Sequence, residues 1–166
     1  RNLLERAPLE ALARSAGVSP AFLYGIAAFE AESCHLGFTT GCPALAVHTD
    51  DGPRLAYNHD FPGAFTSTLR VRRSQPSDGL ASVAVTYPVL LGAIAGVNER
   101  GLAVCLNQGY ATDLKRLRPG LFTTHWVQAC LDGCDSVTAA IELLRGARFA
   151  NGGIITLMDE RDAAAV

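Results

Sequence analysis

Two short runs of alternating side chains around Asp50-Asp51-Gly52 constrain the fold of this chain more than any other feature. The runs cover residues 44–47 and 54–57, and an Asp-Gly pair between two such runs is a strong signal for a β-hairpin. In an antiparallel pair, the numbers of opposed residues add up to a constant that the turn determines. If the turn is centred on Asp51, the numbers of opposed residues add up to about 102. Cys42 then lies opposite Asp60, to within one residue.

Helical periodicity precedes this hairpin. An apolar stripe at helical spacing runs from Leu9 to Ala16 and ends at Gly17, where a glycine can adopt the left-handed conformation of a C-terminal cap. Ser19-Pro20 is typical of a second helix start, because serine caps the free N–H groups and proline suits the first helical position. We expect this second helix to continue to about Ala31.

The remainder of the chain predicts further strands with helices between them. Strand-like runs occupy residues 65–72, 80–87, 90–97 and 102–107, and helical patterns cover residues 124–131 and 137–144 after the capping residue Ser136. Residues 154–158 and 163–166 again read as strands. Short connections imply antiparallel pairing, so we expect an α+β fold with helices layered on a sheet. Because the first residue is Arg and the last strand is short, we also expect the chain to be part of a longer protein.

Composition narrows the class of partner. The formal net charge of -2 argues against nucleic acid or an anionic membrane surface as the main partner. No apolar run approaches the roughly 20 residues of a membrane-spanning helix, and the first residues lack the apolar core of a signal peptide. The 5 cysteines are irregularly spaced, which favours a reducing, cytoplasmic location. Glycine-rich stretches match no phosphate loop, and the cysteine and histidine spacings match no structural zinc site, so we predict no cofactor or metal.

Gly41-Cys42 supplies a candidate nucleophile at the open end of the hairpin. The thiol should meet Asn58-His59-Asp60 there, with one residue of uncertainty about which side chain faces it. Because Gly41 has no side chain, its carbonyl can lie close to the thiol. Attack on that carbonyl, followed by hydrolysis of the thioester, would release Cys42 with a free α-amine. Such an amine has a pKa of about 7.7–8.0 and suits a general base near neutral pH.

A wider set of residues resembles a known family. Gly41-Cys42, Asn58-His59-Asp60 and the segment from Tyr87-Pro88 through Gly96-Val97-Asn98-Glu99-Arg100-Gly101 to Asn107 resemble the isopenicillin-N acyltransferase-like cysteine peptidases. These are relatives of choloylglycine hydrolases and penicillin V acylase. The resemblance implies an N-terminal-nucleophile αββα sandwich, with residues 1–41 as a helical pro-segment and residues 42–166 as the N-terminal part of the catalytic domain.

The same resemblance implies roles for individual residues. Cys42 would be the nucleophile that attacks a linear amide or thioester bond of a small molecule and carries the acyl group. Asp60 would orient its α-amine, and Asn107 would lie beside the reacting carbonyl. Tyr57 and Asn58 would support the site or the substrate. The family's oxyanion-hole asparagine and a further arginine would follow Val166.

Two residues depart from the family pattern. Pro43 follows the nucleophile where relatives carry threonine or serine, and proline has no N–H to donate. The loss of one oxyanion donor can reduce the stabilisation of the transition state by about 2.7–4 kcal/mol. Tyr57 stands where relatives often carry arginine, which weakens any inference of a bile-salt or carboxylate-bearing substrate.

Two other interpretations remain open from the sequence. His125 could be the partner of Cys42 in a papain-like dyad, although a histidine that opens a helix is more often a surface or capping residue. The chain could also be an inactive homologue that serves as a binding module, as Pro43 suggests.

We expect the other cysteines to be inert and the arginines at positions 70, 72 and 73 to form one solvated strand end. The sequence is compatible with a homo-oligomer and does not determine the assembly state.

Overall fold

The fold is described from a computed structural model, over residues 6–25, 42–60, 63–88, 90, 92–108 and 120–166. Helix α1 spans Arg6–Ala16, and residues 20–25 are also helical. A two-stranded sheet and a six-stranded sheet follow, with a 3-10 helix at Gly63–Thr68 between them. The strands are β1 (Ala44–Thr49), β2 (Gly52–Tyr57), β3 (Arg70–Ser74), β4 (Ser82–Thr86), β5 (Ala95–Asn98), β6 (Ala103–Gln108), β7 (Gly153–Met158) and β8 (Ala163–Ala165). Helices α2 (Thr123–Gly133) and α3 (Val137–Arg145) lie between β6 and β7.

The six-stranded sheet confirms the predicted α+β class. Strands β3 to β8 neighbour one another in chain order, and each neighbouring pair is antiparallel. The turn between β5 and β6 lies at residues 98–101, as predicted, and Gly101 there has a φ of 81°. Antiparallel neighbours of this kind need only short connections.

Both predicted caps near the N-terminus are confirmed. Gly17 has a φ of 66° and its N–H donates to the Arg14 carbonyl, while the Val18 N–H donates to the Ala13 carbonyl. This pair of bonds is the Schellman arrangement that ends a helix. The Ser19 hydroxyl accepts a hydrogen bond from the Phe22 N–H at 3.2 Å. The predicted extension of that second helix beyond residue 25 lies outside the described residues.

Two strand predictions began too early. Residues 65–68 belong to a 3-10 helix, in which the Thr68 hydroxyl donates to the Phe65 carbonyl at 2.7 Å. Side-chain hydroxyls that bond to nearby carbonyls compete with a strand ladder. Strand β5 begins at Ala95 rather than near residue 90, because the Ala93 N–H donates to the Thr124 carbonyl of helix α2.

Helices α2 and α3 cover one face of the six-stranded sheet. The core between them consists of fully or nearly fully buried apolar side chains from β6, β7 and both helices, namely Val104, Leu106, Ile155, Leu157, Val127, Leu131, Val137, Ala140 and Leu144. Gly96 of β5 lets Leu131 approach closely, since a Cβ at this glycine would lie 2.8 Å from the Leu131 side chain. Close packing of this kind accounts for most of the stability of a small domain.

The hairpin of β1 and β2 lies against the opposite face of the same sheet. Cys105 points to that face, because its neighbours Val104 and Leu106 point into the helical core and side chains alternate along a strand. Cys105 is nevertheless 0% exposed and interacts electrostatically with Tyr57 of the hairpin. His48 of β1 also contacts the Asp159 carbonyl just after β7, at 3.3 Å from Nε2. The described residues therefore form three layers: helices, six-stranded sheet and hairpin.

The prediction of a fully solvated arginine cluster was wrong for Arg72. Its register opposite Ala84 places it on the helical face of the sheet. There its guanidinium donates to Gln128 Oε1 at 2.6 Å and to the Gly92 carbonyl at 3.0 Å. Burial lowers the pKa of Arg72, and nearby Asp132 opposes that shift. Arg70 and Arg73 are exposed, as expected.

The side chain of Asn98 connects the β5–β6 turn to the end of α2. Its Nδ2 donates to the carbonyls of Leu131 and Cys134, at 3.1 and 2.7 Å. Its Oδ1 accepts from the N–H groups of Arg100 and Leu102, at 3.0 and 3.1 Å. Asn98 is 5% exposed, so water cannot readily replace these partners.

Replacing Asn98 should therefore destabilise the fold. Asn98→Ala leaves four backbone groups, three of them in buried hydrogen bonds, without this partner, and we expect a loss of roughly 2–4 kcal/mol in the free energy of unfolding. Arg100→Ala changes an exposed residue of the same turn and should stay within about 0.5 kcal/mol of wild type. Urea denaturation of the three proteins measures the difference. Equal midpoints for the two variants would show that Asn98 does not hold the turn.

Candidate active site

The register of the hairpin decides which side chain faces Cys42. Pairs run from Ala44 opposite Tyr57 to Thr49 opposite Gly52, so opposed residue numbers add up to 101. The predicted sum was one too high, because Gly52 is already the first residue of β2 and the turn has only Asp50 and Asp51 at its tip. Continued by two residues, this register places Cys42 opposite His59, within the uncertainty stated for the prediction.

Pro43 does not interrupt this pairing. The Asn58 N–H donates to the Pro43 carbonyl at 3.1 Å, so the proline contributes an acceptor although it has no N–H of its own. The next opposed pair, Cys42 and His59, is a non-hydrogen-bonded pair, in which side chains come closest. Cys42 Sγ lies 3.9 Å from His59 Nδ1 and 4.0 Å from the backbone oxygen of Asp60.

Two tyrosine hydroxyls hold the His59 ring. Tyr57 Oη lies 3.0 Å from Nδ1, and Tyr87 Oη lies 3.0 Å from Nε2. Tyr87 follows strand β4 of the six-stranded sheet, and Phe65 packs against its ring in an edge-on contact. Burial lowers the pKa of His59, and Asp60 only partly opposes that shift. His59 is therefore neutral near pH 7.

Both phenols remain protonated beside the thiol. Burial raises the pKa of Tyr57, and the adjacent Cys42 raises it further through charge and through a hydrogen bond between the two side chains. Burial and Cys42 raise the pKa of Tyr87 in the same direction. The half-buried Cys42 thiol thus has the neutral imidazole of His59 and the Tyr57 hydroxyl beside it, and Tyr87 contacts the other nitrogen of that ring.

Asp60 and Asn58 lie at the exposed side of this cluster. Asn58 Nδ2 donates to Asp60 Oδ1 at 2.7 Å, and both side chains are exposed. Asp60 approaches the thiol through its backbone carbonyl, because alternation points its side chain away from the face that His59 shares with Cys42. Gly41, the other half of the predicted cleavage site, lies outside the described residues.

Asn107 lies on the sheet face that carries the hairpin. It is half-buried on β6, two residues beyond Cys105, and its Oδ1 accepts a hydrogen bond from the Thr156 hydroxyl at 3.1 Å. The Cys105 thiol on the same face is buried, and burial raises its pKa to about 11. A thiol so shielded from water is poorly reactive, in agreement with the expectation that Cys105 is inert.

His125 is not the surface or capping residue that its sequence position suggested. It is 5% exposed, because residues 92 and 93 pack against the start of α2 and leave no room for a Cβ at Gly92. Burial lowers its pKa to about 4, and Nδ1 has no hydrogen-bond partner among the described residues. Since α2 covers the sheet face opposite the hairpin, the structure gives no support to a papain-like dyad of Cys42 and His125.

The part that His59 and Tyr87 play in this cluster is not evident from the sequence. If a two-residue turn at Asp50-Asp51 had been assumed, the predicted register would have placed His59, rather than Asp60, opposite Cys42. Tyr87 is 28 residues from His59 in the chain, and no local pattern links the two. Their contact depends on how the hairpin lies on the larger sheet.

Comparison with known proteins places the chain in a family. The sequence profile described as acyl-coenzyme A:6-aminopenicillanic acid acyl-transferase matches residues 47–166, which is more than half of the chain. The protein belongs to the acyl-coenzyme A:6-aminopenicillanic acid acyl-transferase family. This membership confirms the resemblance seen in the sequence. The matched range begins after Cys42, so the family match itself says nothing about the role of this residue.

Two further comparisons bear on this acyl-transferase family member. The solved structure of penicillin V acylase from Agrobacterium tumefaciens is similar, with 20% sequence identity and a TM-score of 0.40. The match covers 76% of this chain and 38% of that chain, so the present chain spans well under two thirds of that protein. No curated protein sequence matches this chain.

Neither a membrane-spanning helix nor a cluster of metal ligands occurs in the described ranges. None of the helices there is both long and apolar enough to cross a membrane. The same ranges contain no group of three or more His, Cys, Asp or Glu side chains placed to hold a metal ion.

Cys42 should be the most reactive thiol of this acyl-transferase family member. Cys105 and Cys130 are 0% exposed, and a hydrogen bond to Cys134 together with burial raises the pKa of Cys130. We expect iodoacetamide to modify Cys42 at least about 10-fold faster than these buried cysteines, because thiolate formation and access control the rate. Peptide mapping at short times measures the order, and urea-unfolded protein, in which all thiols are accessible, is the control. Earlier labelling of Cys105 or Cys130 would contradict the assignment.

Proposed function

We propose that this protein is a cysteine N-terminal-nucleophile amidohydrolase or acyltransferase that acts on linear amide or thioester bonds of small molecules. The observation that carries the proposal is the half-buried Cys42 thiol next to the neutral imidazole of His59, whose ring two tyrosine hydroxyls hold, in a chain of an acyl-transferase family. A half-buried thiol with polar partners is the environment in which cysteine acts as a nucleophile.

The proposed reaction has two halves. Cys42 Sγ attacks the carbonyl carbon of an amide or thioester, and the leaving amine or thiol departs with a proton while the acyl group stays on sulfur. Water or an amine then takes the acyl group and restores the thiol. The family description names an acyl-coenzyme A and 6-aminopenicillanic acid, which supports a thioester donor and an amine acceptor. The name of penicillin V acylase directs attention to amide substrates as well.

The proposal includes maturation by cleavage between Gly41 and Cys42. Residues 1–41 are then a pro-segment, and residues 42–166 are the N-terminal part of the catalytic domain. Cleavage gives Cys42 a free α-amine, which serves as the base during turnover, and Asp60 positions that amine. Support comes from the nearness of the Asp60 backbone to Sγ and from the hydrogen bond of Asn58 to the Asp60 carboxylate. We assign Asn107 a position beside the reacting carbonyl of the substrate, because Asn107 lies on the sheet face that the hairpin covers.

Pro43 removes one backbone donor from the place where an oxyanion forms, but the site contains others. The Tyr57 hydroxyl lies at the same ring nitrogen of His59 as the thiol, and its raised pKa keeps it protonated. Hydroxyl donors aimed at developing negative charge can stabilise a transition state by several kcal/mol. We therefore assign Tyr57 as a donor toward the tetrahedral intermediate, in place of the backbone donor that Pro43 lacks.

Three substitutions separate this mechanism from the alternatives. Cys42→Ala should abolish turnover of an aryl thioester, and Asp60→Asn should lower kcat by about 10²–10⁴, the usual contribution of a base and its support. His125→Ala should change kcat by only a few-fold, provided its thermal melting confirms that it folds. Release of the aryl thiol measures each rate in the full-length protein.

The same assay tests each alternative. A loss of about 10² or more in His125→Ala, with Asp60→Asn unaffected, would favour the papain-like dyad. Wild-type turnover no faster than that of Cys42→Ala would favour the inactive binding module that Pro43 suggests.

A further inference from the structure

The thiol of Cys42 needs a proton acceptor before any α-amine exists. In the uncut chain the Cys42 nitrogen is part of a peptide bond, and delocalisation of its lone pair makes it a very weak base. The cleavage proposed above therefore cannot use the base that operates during turnover. Another group close to Sγ must accept the first proton.

We propose that His59 is this acceptor, taking the thiol proton on Nδ1 while Tyr87 positions the ring through Nε2. The geometry is that of a nucleophile, a base and an orienting group, with distances of 3.9 Å from Sγ to Nδ1 and 3.0 Å from Nε2 to Tyr87 Oη. The inference rests on the proposed function and adds to it a second base, which acts at an earlier stage.

The contacts of the ring are compatible with the tautomer that this role requires. If the Nε2–H donates to Tyr87 Oη, Nδ1 keeps a lone pair toward both Cys42 Sγ and Tyr57 Oη. The Tyr57 hydroxyl donates to this lone pair at 3.0 Å and also hydrogen-bonds to the Cys42 side chain. It can therefore turn toward sulfur once Nδ1 is protonated. A separation of 3.9 Å is long for proton transfer, but catalytic contacts commonly shorten when the reacting groups engage.

The proton and electron pairs balance over the cleavage. The S–H bond breaks, its proton moves to Nδ1, and its electron pair on sulfur forms a bond to the Gly41 carbonyl carbon. When the C–N bond breaks, the Cys42 nitrogen takes the proton from the imidazolium, which leaves a thioester, a free amine and neutral His59. Water then hydrolyses the thioester and restores the thiol.

The surroundings of His59 allow this role at neutral pH. Among the residues that the structure describes, the titratable groups that face it include Cys42, Tyr57 and Asp60 of the hairpin and Tyr87 of the larger sheet. Burial lowers the pKa of His59 from 6.5, against the opposing effect of Asp60. A histidine accepts a proton only above its pKa, so the activation of the thiol should persist at pH 6.5 and disappear at lower pH.

Alkylation of Cys42 in the uncut chain tests the inference. The tryptic peptide of residues 15–54 spans Gly41-Cys42 and arises only from uncut molecules, so tandem mass spectrometry of this peptide reports Cys42 before cleavage. At pH 7, His59→Gln should slow iodoacetamide modification of Cys42 by about 10-fold or more and self-cleavage by about 10²–10⁴. Tyr87→Phe keeps the ring and should slow both processes less.

His48→Gln is the matched control, because His48 lies on the same hairpin and contacts Asp159 rather than the thiol. It should stay within about 2-fold of wild type, since no contact to the reacting atoms changes. If His59→Gln alkylates as fast as His48→Gln while Cys42 remains the most reactive thiol, the role of His59 is overturned and the proposed function stands. If wild-type Cys42 reacts no faster than Cys105, the nucleophile itself is wrongly assigned and both proposals fail.

Discussion

The pairing of β1 with β2 is the constraint on which the rest of the site depends. Its two-residue turn sets a register in which Cys42 opposes His59. Side chains alternate along a strand, so a shift of one residue would turn the thiol away from the imidazole and toward solvent. Pro43 tolerates this register because its carbonyl still accepts the Asn58 N–H. The restriction that proline places on the preceding residue also favours the extended conformation that Cys42 needs.

The surroundings of the Cys42 thiol depend on where the hairpin lies on the larger sheet. One face of that sheet is covered by α2 and α3, and the other contributes Tyr87 and Asn107 to the surroundings of the hairpin. The two thiols at this face illustrate the effect of burial. Cys105 is shielded and its pKa is raised to about 11, whereas Cys42 is half-buried beside the neutral imidazole of His59. The same functional group is fully shielded in one place and partly accessible in the other.

Local patterns in the sequence were enough to predict the caps at Gly17, Ser19 and Ser136, the hairpin, the antiparallel sheet and the α+β class. They failed where tertiary contacts override periodicity. Arg72 looked like a solvated strand residue, but its register places it under α2, where Gln128 and backbone carbonyls satisfy it. His125 looked exposed, but the segment at Gly92 packs over it. Tyr87 could not be assigned to the site because its partner, His59, lies on a separate sheet.

The proposed chemistry uses two bases in sequence: His59 while Cys42 is inside the chain, and the α-amine once it is terminal. Intact-mass analysis of full-length protein during reaction with an aryl thioester tests this account most directly, because one spectrum reports both the cut and the acyl group. The account predicts a chain that begins at Cys42 and carries one acyl group, which peptide mapping locates on Sγ of that residue. An acyl group on an uncut chain would contradict the α-amine as the base of turnover. An acyl group on any other residue would contradict Cys42 as the nucleophile.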